Sequence, residues 1–284
     1  MNLDRKDAGA PLSGPGVRTK GTKMLDQVMD LGEFAPRREL VRNGPGRLFE
    51  AIDARGRLVM LLVSTSADPV ERLRWIRGAR IWAKLCHPNI PAIDAVSERG
   101  DALLLAFRHV RGEPMLPGSL DPPRAARVVR DVARAVHHLH EEGFVHRAIS
   151  PANVLLDQEG TPMLVGFESA SEFRTAERPF APCLLAERSP YAAPERLRAH
   201  ADRRTDVYSL GALLGALATG RIGTSALLPD ALAAVRDRAM APLPEDRYAT
   251  ARDLADALER ASNDPRRSWL GALFRTWTIS RNPR

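Results

Sequence analysis

The sequence has few of the residues that mark secreted, metal-binding or membrane-spanning proteins. It contains only two cysteines, Cys86 and Cys183, which lie far apart and outside any metal-ligand spacing, so we expect ordinary thiols of a reducing compartment. No apolar run approaches the roughly 18 residues that a membrane helix needs. The opening stretch MNLDRKDAGAPLSGPG has no apolar segment after its charges. This pattern predicts no secretory signal and a cytoplasmic location.

The charge balance is basic but does not by itself indicate a nucleic-acid partner. There are 42 basic and 35 acidic side chains, a formal net charge of +7, and almost all the cations are arginine. Abundant Arg and Ala are typical of a GC-rich coding sequence, which raises the positive charge without any functional cause. Since no nucleic-acid-binding motif accompanies the charge, we expect no nucleic-acid ligand.

Short strands dominate the first part of the chain. Residues 1–36 are rich in Gly, Pro and charge and have little apolar periodicity, so we predict a flexible leader. The runs LVRN, RLFEAID and RLVMLLVS (40–64) are separated by turn residues and predict a meander of strands. A helix is predicted over 68–85, and two further strands over 92–96 and 102–109. We assign 37–110 to one lobe.

Helices dominate the second part, residues 111–263. An amphipathic pattern with Pro at its start and Gly at its end predicts a helix over 122–142, and VLLDQEGTPMLV (154–165) reads as a hairpin. The segment 205–220 is apolar nearly all round, which predicts a buried central helix, and two more helices are predicted over 228–240 and 249–262. Strands followed by helices, without an internal repeat, predict an α+β fold with two unequal lobes. Residues 264–284 remain as a basic amphipathic tail.

Five motifs in the correct order identify a family resemblance. The segments are FVHRAISPANVLL (144–156), MLVGFESA (163–170), SPYAAPERL (189–197), TDVYSLGALL (205–214) and PEDRY (244–248). They are similar to the catalytic loop, the D-F-G segment, the A-P-E motif, the central helix and the late Arg of the protein kinase family, specifically the eukaryotic-like serine/threonine kinases of bacteria. The resemblance covers roughly 220 residues. It implies a bilobal kinase-like fold, with a small β-rich lobe and a larger helical one.

The residues that carry kinase chemistry are replaced. By alignment, Leu62 stands where the family has the phosphate-gripping Lys, and Gly78 where the Glu that holds this Lys is found. Ala148 replaces the catalytic-loop Asp, and Gly166 replaces the Mg²⁺-binding Asp of D-F-G. The Lys of the catalytic loop is Ser150. Of the groups that would hold ATP and Mg²⁺, only weak candidates remain, namely Gly46 of the glycine-rich loop and Asn153.

These losses predict a pseudokinase. A positioned general base contributes about 10²–10⁴-fold to the rate, and one preorganised electrostatic group about 10²–10³-fold. Such contributions do not simply multiply, but losing the base, the metal ligand and the phosphate Lys together leaves negligible activity. We therefore predict no intact catalytic site, no metal and no bound cofactor. The cleft is predicted to be closed or lined by apolar residues, among them Leu48, Leu62 and Phe107.

The residues that brace the family's fold are kept. The resemblance implies a packing contact between His146 and Phe167, and a contact from Asp206 to the backbone of the catalytic loop. It also implies an ion pair between Glu195 and Arg247. Arg147 of the H-R-D motif is retained as well, and its family counterpart can pair with a phosphate on the activation segment. An unmodified Arg that bonds the loop backbone is the alternative.

Three residue patterns have a functional and a structural interpretation. Arg42 could replace the missing Lys, but a solvated loop residue is the simpler expectation. Glu168, two positions beyond Gly166, could offer a displaced carboxylate to Mg²⁺, with nothing else in support. HHLH (137–140) could bind a metal, yet no Cys or acidic partner completes a tetrahedral set, so structural helix positions are expected.

The function that follows is a protein-binding or regulatory scaffold, whose partner could be an active kinase or its substrate. Thr175, Ser189 and Tyr191 lie in the activation segment and could be phosphorylated by another kinase. The first alternative is an atypical kinase or nucleotide-binding protein with rearranged ATP and Mg²⁺ chemistry. The second is a peripheral membrane or polyanion binder, because the tail carries arginines beside an apolar face. That face also suits a partner's groove or the larger lobe, and consists of Trp269, Leu270, Leu273, Phe274 and Trp277.

Overall fold

The structure, a computed structural model, describes residues 32–43, 46–66, 68–100, 102–172, 189–195, 202–222 and 227–263. The predicted tail 264–284, Thr175 and most of the predicted leader lie outside these residues. Within them, the chain forms a β-rich lobe followed by a helical lobe, which confirms the α+β bilobal prediction. No described helix is long and apolar enough to cross a membrane.

The first lobe is built on a five-stranded antiparallel sheet. Its strands follow the order β1-β2-β3-β5-β4, so that β1 and β4 form opposite edges. Side chains alternate between the two faces of a strand, and both faces of the central strands are apolar. The strands are β1 (Ala35–Asn43), β2 (Gly46–Ile52), β3 (Leu58–Ser64), β4 (Ile93–Arg99) and β5 (Ala102–Arg108).

One helix, α1 (Pro69–Trp82), packs on the inner face of this sheet. The helix begins where the sequence supplies a cap, since the Asp68 side chain accepts a hydrogen bond from the Val70 N–H at 2.9 Å. Pro69 occupies the first turn, where its missing N–H costs nothing. Ala79, Ile81 and Trp82 join the main core cluster, which continues into the second lobe. The two lobes therefore share one core.

In the part of the second lobe that the structure describes, there are four long helices and three small strand pairings. The helices are α2 (Pro122–Glu141), α3 (Arg203–Thr219), α4 (Asp230–Ala239) and α5 (Ala251–Ser262). Strands β6 (Gly112–Pro114), β8 (Val154–Asp157) and β9 (Pro162–Leu164) form one small sheet, while β7 (Phe144–Val145) pairs with β10 (Ser171–Glu172). Short 3-10 turns lie at Pro151–Asn153, Phe167–Ser169 and Pro244–Asp246.

The predicted elements are present, with shifted ends. The apolar helix α3 is buried around most of its surface, as its sequence predicts. β1 begins at Ala35, and Phe34 is buried in the cluster on the outer face of the sheet, although both residues fall inside the predicted leader 1–36. β4 continues to Arg99 because it pairs with β5 as far as Ala102, whereas the sequence pattern ended near Val96.

Candidate functional site: a braced cleft without charged phosphate contacts

The carboxylate of Asp206, at the start of α3, holds the catalytic-loop backbone. Its Oδ2 accepts the His146 N–H at 2.8 Å and lies 2.9 Å from His140 Nε2, while its Oδ1 accepts the Arg147 N–H at 2.8 Å. Burial by itself would raise the pKa of Asp206, but the hydrogen bond and charge of His140 and the bonds from the loop hold it below the usual value. The contact implied by the family resemblance is present.

The Asp206 contact supports a strained backbone. Arg147 has a φ of 66°, and it is the one described residue other than glycine with a positive φ. This left-handed conformation costs a residue with a side chain on the order of 1–3 kcal/mol unless its surroundings hold it. Two N–H groups that converge on a single buried carboxylate supply that support. The Arg147 guanidinium also donates to Ser171 Oγ at 3.4 Å.

A row of rings connects the catalytic loop to the first lobe. His146 and Phe167 lie with ring centroids 4.7 Å apart, Phe167 lies 4.9 Å from Trp82, and Trp82 lies 4.8 Å from Phe107. Trp82 also donates to the Pro91 carbonyl at 2.8 Å. His146 Nε2 donates to the Val165 carbonyl at 3.1 Å and Nδ1 accepts the Ala148 N–H at 3.3 Å, which defines one neutral tautomer.

A buried ion pair joins the A-P-E motif to the far end of the lobe. Arg247 Nη1 and Nη2 donate to the two carboxylate oxygens of Glu195 at 2.7 and 2.8 Å. The remaining guanidinium donors bond the carbonyls of Ala241, Pro242 and Arg204, so this fully buried cation is satisfied. Burial alone would raise the pKa of Glu195, but the hydrogen bonds and charge of Arg247 lower it. This predicted pair is therefore present as well.

The cleft between the lobes is small and mainly apolar. Its cavity has a volume of about 40 Å³, whereas ligand pockets commonly measure about 300–1,000 Å³. Leu48, Leu62 and Phe107 all line it, as predicted, and Gly46 and Asn153 lie at its wall. Among the described lining residues, none is a Lys or Arg; the others are Val41, Trp75, Ala152, Val165, Gly166 and Glu168.

Gly78 has a packing role that the sequence alignment does not reveal. A Cβ at this position would lie 2.4 Å from the Phe167 carbonyl oxygen and 2.6 Å from the Glu168 Cα. Because real Cβ atoms do not approach backbone so closely, only glycine allows α1 to rest directly on residues 167–168. The helix also places Trp75 in the cleft wall. Sequence reasoning missed Trp75 as a cleft residue, since its place follows from this close approach.

Gly166 is packed as tightly against Asn153. Gly166 has a φ of +81°, and a Cβ there would lie 2.4 Å from Asn153 Cγ. Two hydrogen bonds hold Asn153 in turn. Its side-chain Nδ2 donates to the Ala148 carbonyl at 2.8 Å, and its backbone carbonyl accepts the Val165 N–H at 3.0 Å. Asn153 thus braces the catalytic loop against the segment that precedes Phe167.

Glu168 places a carboxyl group in this apolar cleft. Its Oε2 is buried and has no hydrogen-bond partner among the described residues. Desolvation raises the pKa of Glu168, and a backbone hydrogen bond at Glu168 and the charge of Arg74 oppose this without cancelling it. No group of three His, Cys, Asp or Glu side chains in the described part of the chain could hold a metal ion. Among the described residues that line the cleft, no second acidic side chain accompanies Glu168 as a ligand for Mg²⁺.

Arg42 and Arg47 are directed to Glu39 rather than to the cleft. The Nε atoms of Arg42 and Arg47 lie 2.9 and 3.1 Å, respectively, from Glu39 Oε1. The hydrogen bond from Arg47 has the largest effect on the pKa of Glu39, followed by that from Arg42, and together they lower this pKa to about 2. The Arg47 guanidinium also lies over the Phe49 ring, 4.9 Å from its centroid. Neither cation takes the place of the missing Lys.

The histidines of HHLH point in different directions. His137 lies 3.4 Å from Glu141, His138 stacks on His87, and His140 bonds Asp206. The structural interpretation of this motif therefore agrees with the geometry. The candidate phosphorylation positions Ser189 and Tyr191 lie in the described segment 189–195, where the Tyr191 carbonyl accepts the Ser209 hydroxyl at 2.8 Å.

Comparison with known proteins supports the assignment suggested by the fold and the bracing contacts. A family model described as "Protein kinase domain" matches residues 52–270, well over half of the 284 residues. The chain belongs to the protein kinase domain family.

Similar kinases occur in mycobacteria. The serine/threonine-protein kinases PknH and PknE of Mycobacterium tuberculosis are each 32% identical to this kinase-family chain, over 82% and 85% of its length. The chain spans about half the length of these relatives, 42% and 48% respectively. The crystal structure of the M. tuberculosis PknI kinase domain matches 83% of this chain and all of that domain, with a TM-score of 0.66 and 24% identity. This likeness supports the fold alone.

The described wall residues of the cleft do not fit ATP and Mg²⁺, the ligands that the resemblance to kinases implies. An Asp at position 166 would carry its Cβ into the Asn153 side chain, and the Asn153 amide is engaged in bracing the loop. One neutral amide oxygen cannot replace the carboxylates that Mg²⁺ prefers. The cleft also offers no cation to a triphosphate among its described lining residues.

Replacing Gly78 by Ala tests the packing of α1. Inside a helix, this change ordinarily stabilises a protein by roughly 0.5–1 kcal/mol, but the added Cβ would strike the Phe167 carbonyl. We expect Gly78→Ala to lower the free energy of unfolding by about 1–3 kcal/mol, as measured by urea denaturation. Arg80→Ala, at an exposed position of the same helix, is the control and should change stability little. A stabilised Gly78→Ala protein would contradict the close contact.

Replacing Glu168 by Gln tests the buried carboxyl group. The pKa of Glu168 is raised above 4.5 in the folded state, so below pH 4.5 both states keep the proton and stability does not depend on this group. As pH rises above 4.5, the unfolded state loses the proton while the folded state retains it, and the free energy of unfolding falls. Glu168→Gln should avoid this loss. Its stability advantage over the parent should therefore grow from pH 4.5 to pH 7, in thermal unfolding compared at each pH.

The matched control for Glu168 is Glu245→Gln, which changes an exposed carboxylate outside the cleft. We expect this protein to follow the parent across the same pH range. An equal gain in both variants, or none in Glu168→Gln, would show that the Glu168 carboxyl group is solvated.

Proposed function

We propose that this kinase-family chain acts by binding another protein, as a catalytically inactive scaffold or regulator. The observation that carries the proposal is the contact between Gly166 and Asn153, because the metal-binding position and a loop-bracing side chain fill the same space. Leu62, Gly78 and Ala148 add to it, since none of these side chains can grip phosphate, hold a Lys or accept a proton. The bracing contacts of Asp206, Phe167 and Arg247 meanwhile keep the surface of the larger lobe in a defined shape.

Restoring a single residue is not expected to restore catalysis. An Asp at position 148 would supply a base but no metal, and a Glu at position 78 would collide with the Phe167 carbonyl before it could meet a Lys on β3. Gly78 and Gly166 each lie against a neighbour that a side chain would strike, so a charged residue at either position meets a steric conflict. We infer that the surfaces outside the cleft carry the function, and that the partner could be an active kinase or its substrate.

A phosphoryl-transfer assay tests this proposal. We expect the purified chain, incubated with γ-labelled ATP and either Mg²⁺ or Mn²⁺, to transfer no more label to itself or to a generic protein substrate than a Phe167→Ala/Asn153→Ala control. We also expect no rise in melting temperature with millimolar ATP or ADP, because a ligand of the folded state stabilises it by mass action. Label incorporation above the control would contradict the scaffold proposal.

A second candidate, an atypical kinase or nucleotide-binding protein, rests on Glu168. This carboxyl group is the one acidic side chain among the described residues of the cleft wall, and Asn153 is retained beside it. Transfer of label that Glu168→Gln abolishes would support this candidate. A melting-temperature rise with nucleotide but no transfer would support nucleotide binding alone.

The basic tail carries a further proposal, which rests on sequence because residues 264–284 lie outside the described part of the chain. Trp269, Leu273, Phe274 and Trp277 share one helical face beside several arginines, a pattern typical of binding to an anionic membrane surface. Full-length chain should sediment with vesicles that contain anionic lipid and remain in solution with neutral ones. A chain ending at Asn263 should stay in solution with both. Equal sedimentation of the two chains would remove the membrane proposal.

A further inference from the structure

On the three central strands of the sheet, the outer face is apolar and buried, as the inner face is. Phe49, Leu61 and Val63 on this face have no exposed surface, and Leu104 and Ala106 of β5 are 1% exposed. They form a cluster separate from the main core. An open sheet face is normally polar, with alternation of apolar and polar side chains. Strands such as β3, with the sequence LVMLLVS, are apolar on both faces. Other residues must therefore pack against each of the two faces.

The described residues supply a cover for the inner face alone. Helix α1 and the second lobe pack there, through the main core cluster. On the outer face, the described side chains that join the cluster from outside the three central strands are Phe34 and Ala95. Arg47, stacked on Phe49, lies at the margin. These few groups do not account for the burial of the whole face.

Residues 32–34 show which direction the chain takes before β1. A Cβ at Gly32 would lie 3.0 Å from the Arg99 Nε at the end of β4, and β4 is the edge opposite to β1. Phe34, two residues on, is buried in the outer cluster. The chain therefore contacts the outer face directly before it enters β1.

Gly32 also has the conformation that ends helices. Its φ is +58°, and a glycine with positive φ directly after the last helical residue is the commonest helix stop. The residues just ahead read MLDQVMDL (24–31), with apolar residues at 24, 25, 28, 29 and 31 and polar ones at 26, 27 and 30. This spacing predicts an amphipathic helix that ends at the observed glycine.

We propose that residues 24–31 cover the outer face of the sheet, with Leu25, Val28 and their apolar neighbours against Phe49, Leu61 and Val63. The kinase-like domain then begins near residue 24, and not after a flexible leader that extends to residue 36. The outer face is consequently an intramolecular interface. It is not the surface by which this chain binds a partner, so this inference is independent of whether the cleft transfers phosphate.

A pair of charge substitutions in the full chain tests this contact. Val28→Asp places a charge on the apolar side of the segment, and Gln27→Asp places the same charge on its polar side. We expect Val28→Asp to lower the melting temperature by about 4 °C or more and to increase the fluorescence of a dye that binds exposed apolar surface. Gln27→Asp should match the parent in both measurements. Equal behaviour of the two variants would overturn the proposal.

A double-variant cycle tests the specific contact with the sheet. Val28→Ala and Val63→Ala should together lower the melting temperature by less than the sum of their separate effects, because each removes part of the same contact. Val28→Ala with Leu105→Ala, a change on the inner face, should be additive. Additive losses in both pairs would overturn the proposal. So would a parent chain that is dimeric by light scattering and becomes monomeric in Val63→Asp, since a second copy would then cover the face.

Discussion

The buried carboxylate of Asp206 is the constraint on which the cleft depends. It accepts the N–H groups of His146 and Arg147 and thereby holds the left-handed conformation of Arg147. The position of His146 in turn determines where Phe167 and Trp82 stack, and that stack reaches the sheet of the first lobe. A single carboxylate on α3 therefore orients the catalytic loop. Through the contacting rings, it also fixes the position of α1. Removing it would leave two N–H groups unsatisfied beside a strained residue.

Two positions at which the resemblance to kinases implies charged residues are part of this packing. Gly78 allows α1 to touch the backbone at Phe167, and Gly166 allows Asn153 to brace Ala148 and Val165. In each case a glycine stands where the resemblance to kinases implies a charged residue, and it permits an approach that a Cβ would block. This arrangement borders the small, mainly apolar cleft. It also places a carboxyl group, Glu168, where burial keeps it protonated more readily than in water.

Much of the fold was predictable because its signals are local. The caps at Asp68 and Asp121, the prolines that follow them and the apolar period of α2 indicate where helices begin and which side they bury. The order of the motifs predicted the bilobal fold, and the contacts of His146, Asp206 and Arg247 followed from the resemblance. The ends of β1 and β4 were less predictable, since pairing with a neighbouring strand decides where a strand stops. The burial of Phe34 likewise depends on the outer face of a sheet whose strands are distant in sequence.

By itself, the sequence placed Leu62, Gly78, Ala148 and Gly166 at the positions where the resemblance to kinases implies charged groups, because such an alignment needs no coordinates. It also determined the apolar character of the cleft wall around Leu48 and Phe107. The tertiary structure alone decided that Gly78 and Gly166 are held by steric contact, and that Trp75 lines the cleft. It alone decided that Arg42 and Arg47 turn to Glu39. These outcomes depend on distances between backbone and side chains far apart in the chain, and a pattern along one sequence contains no such distances.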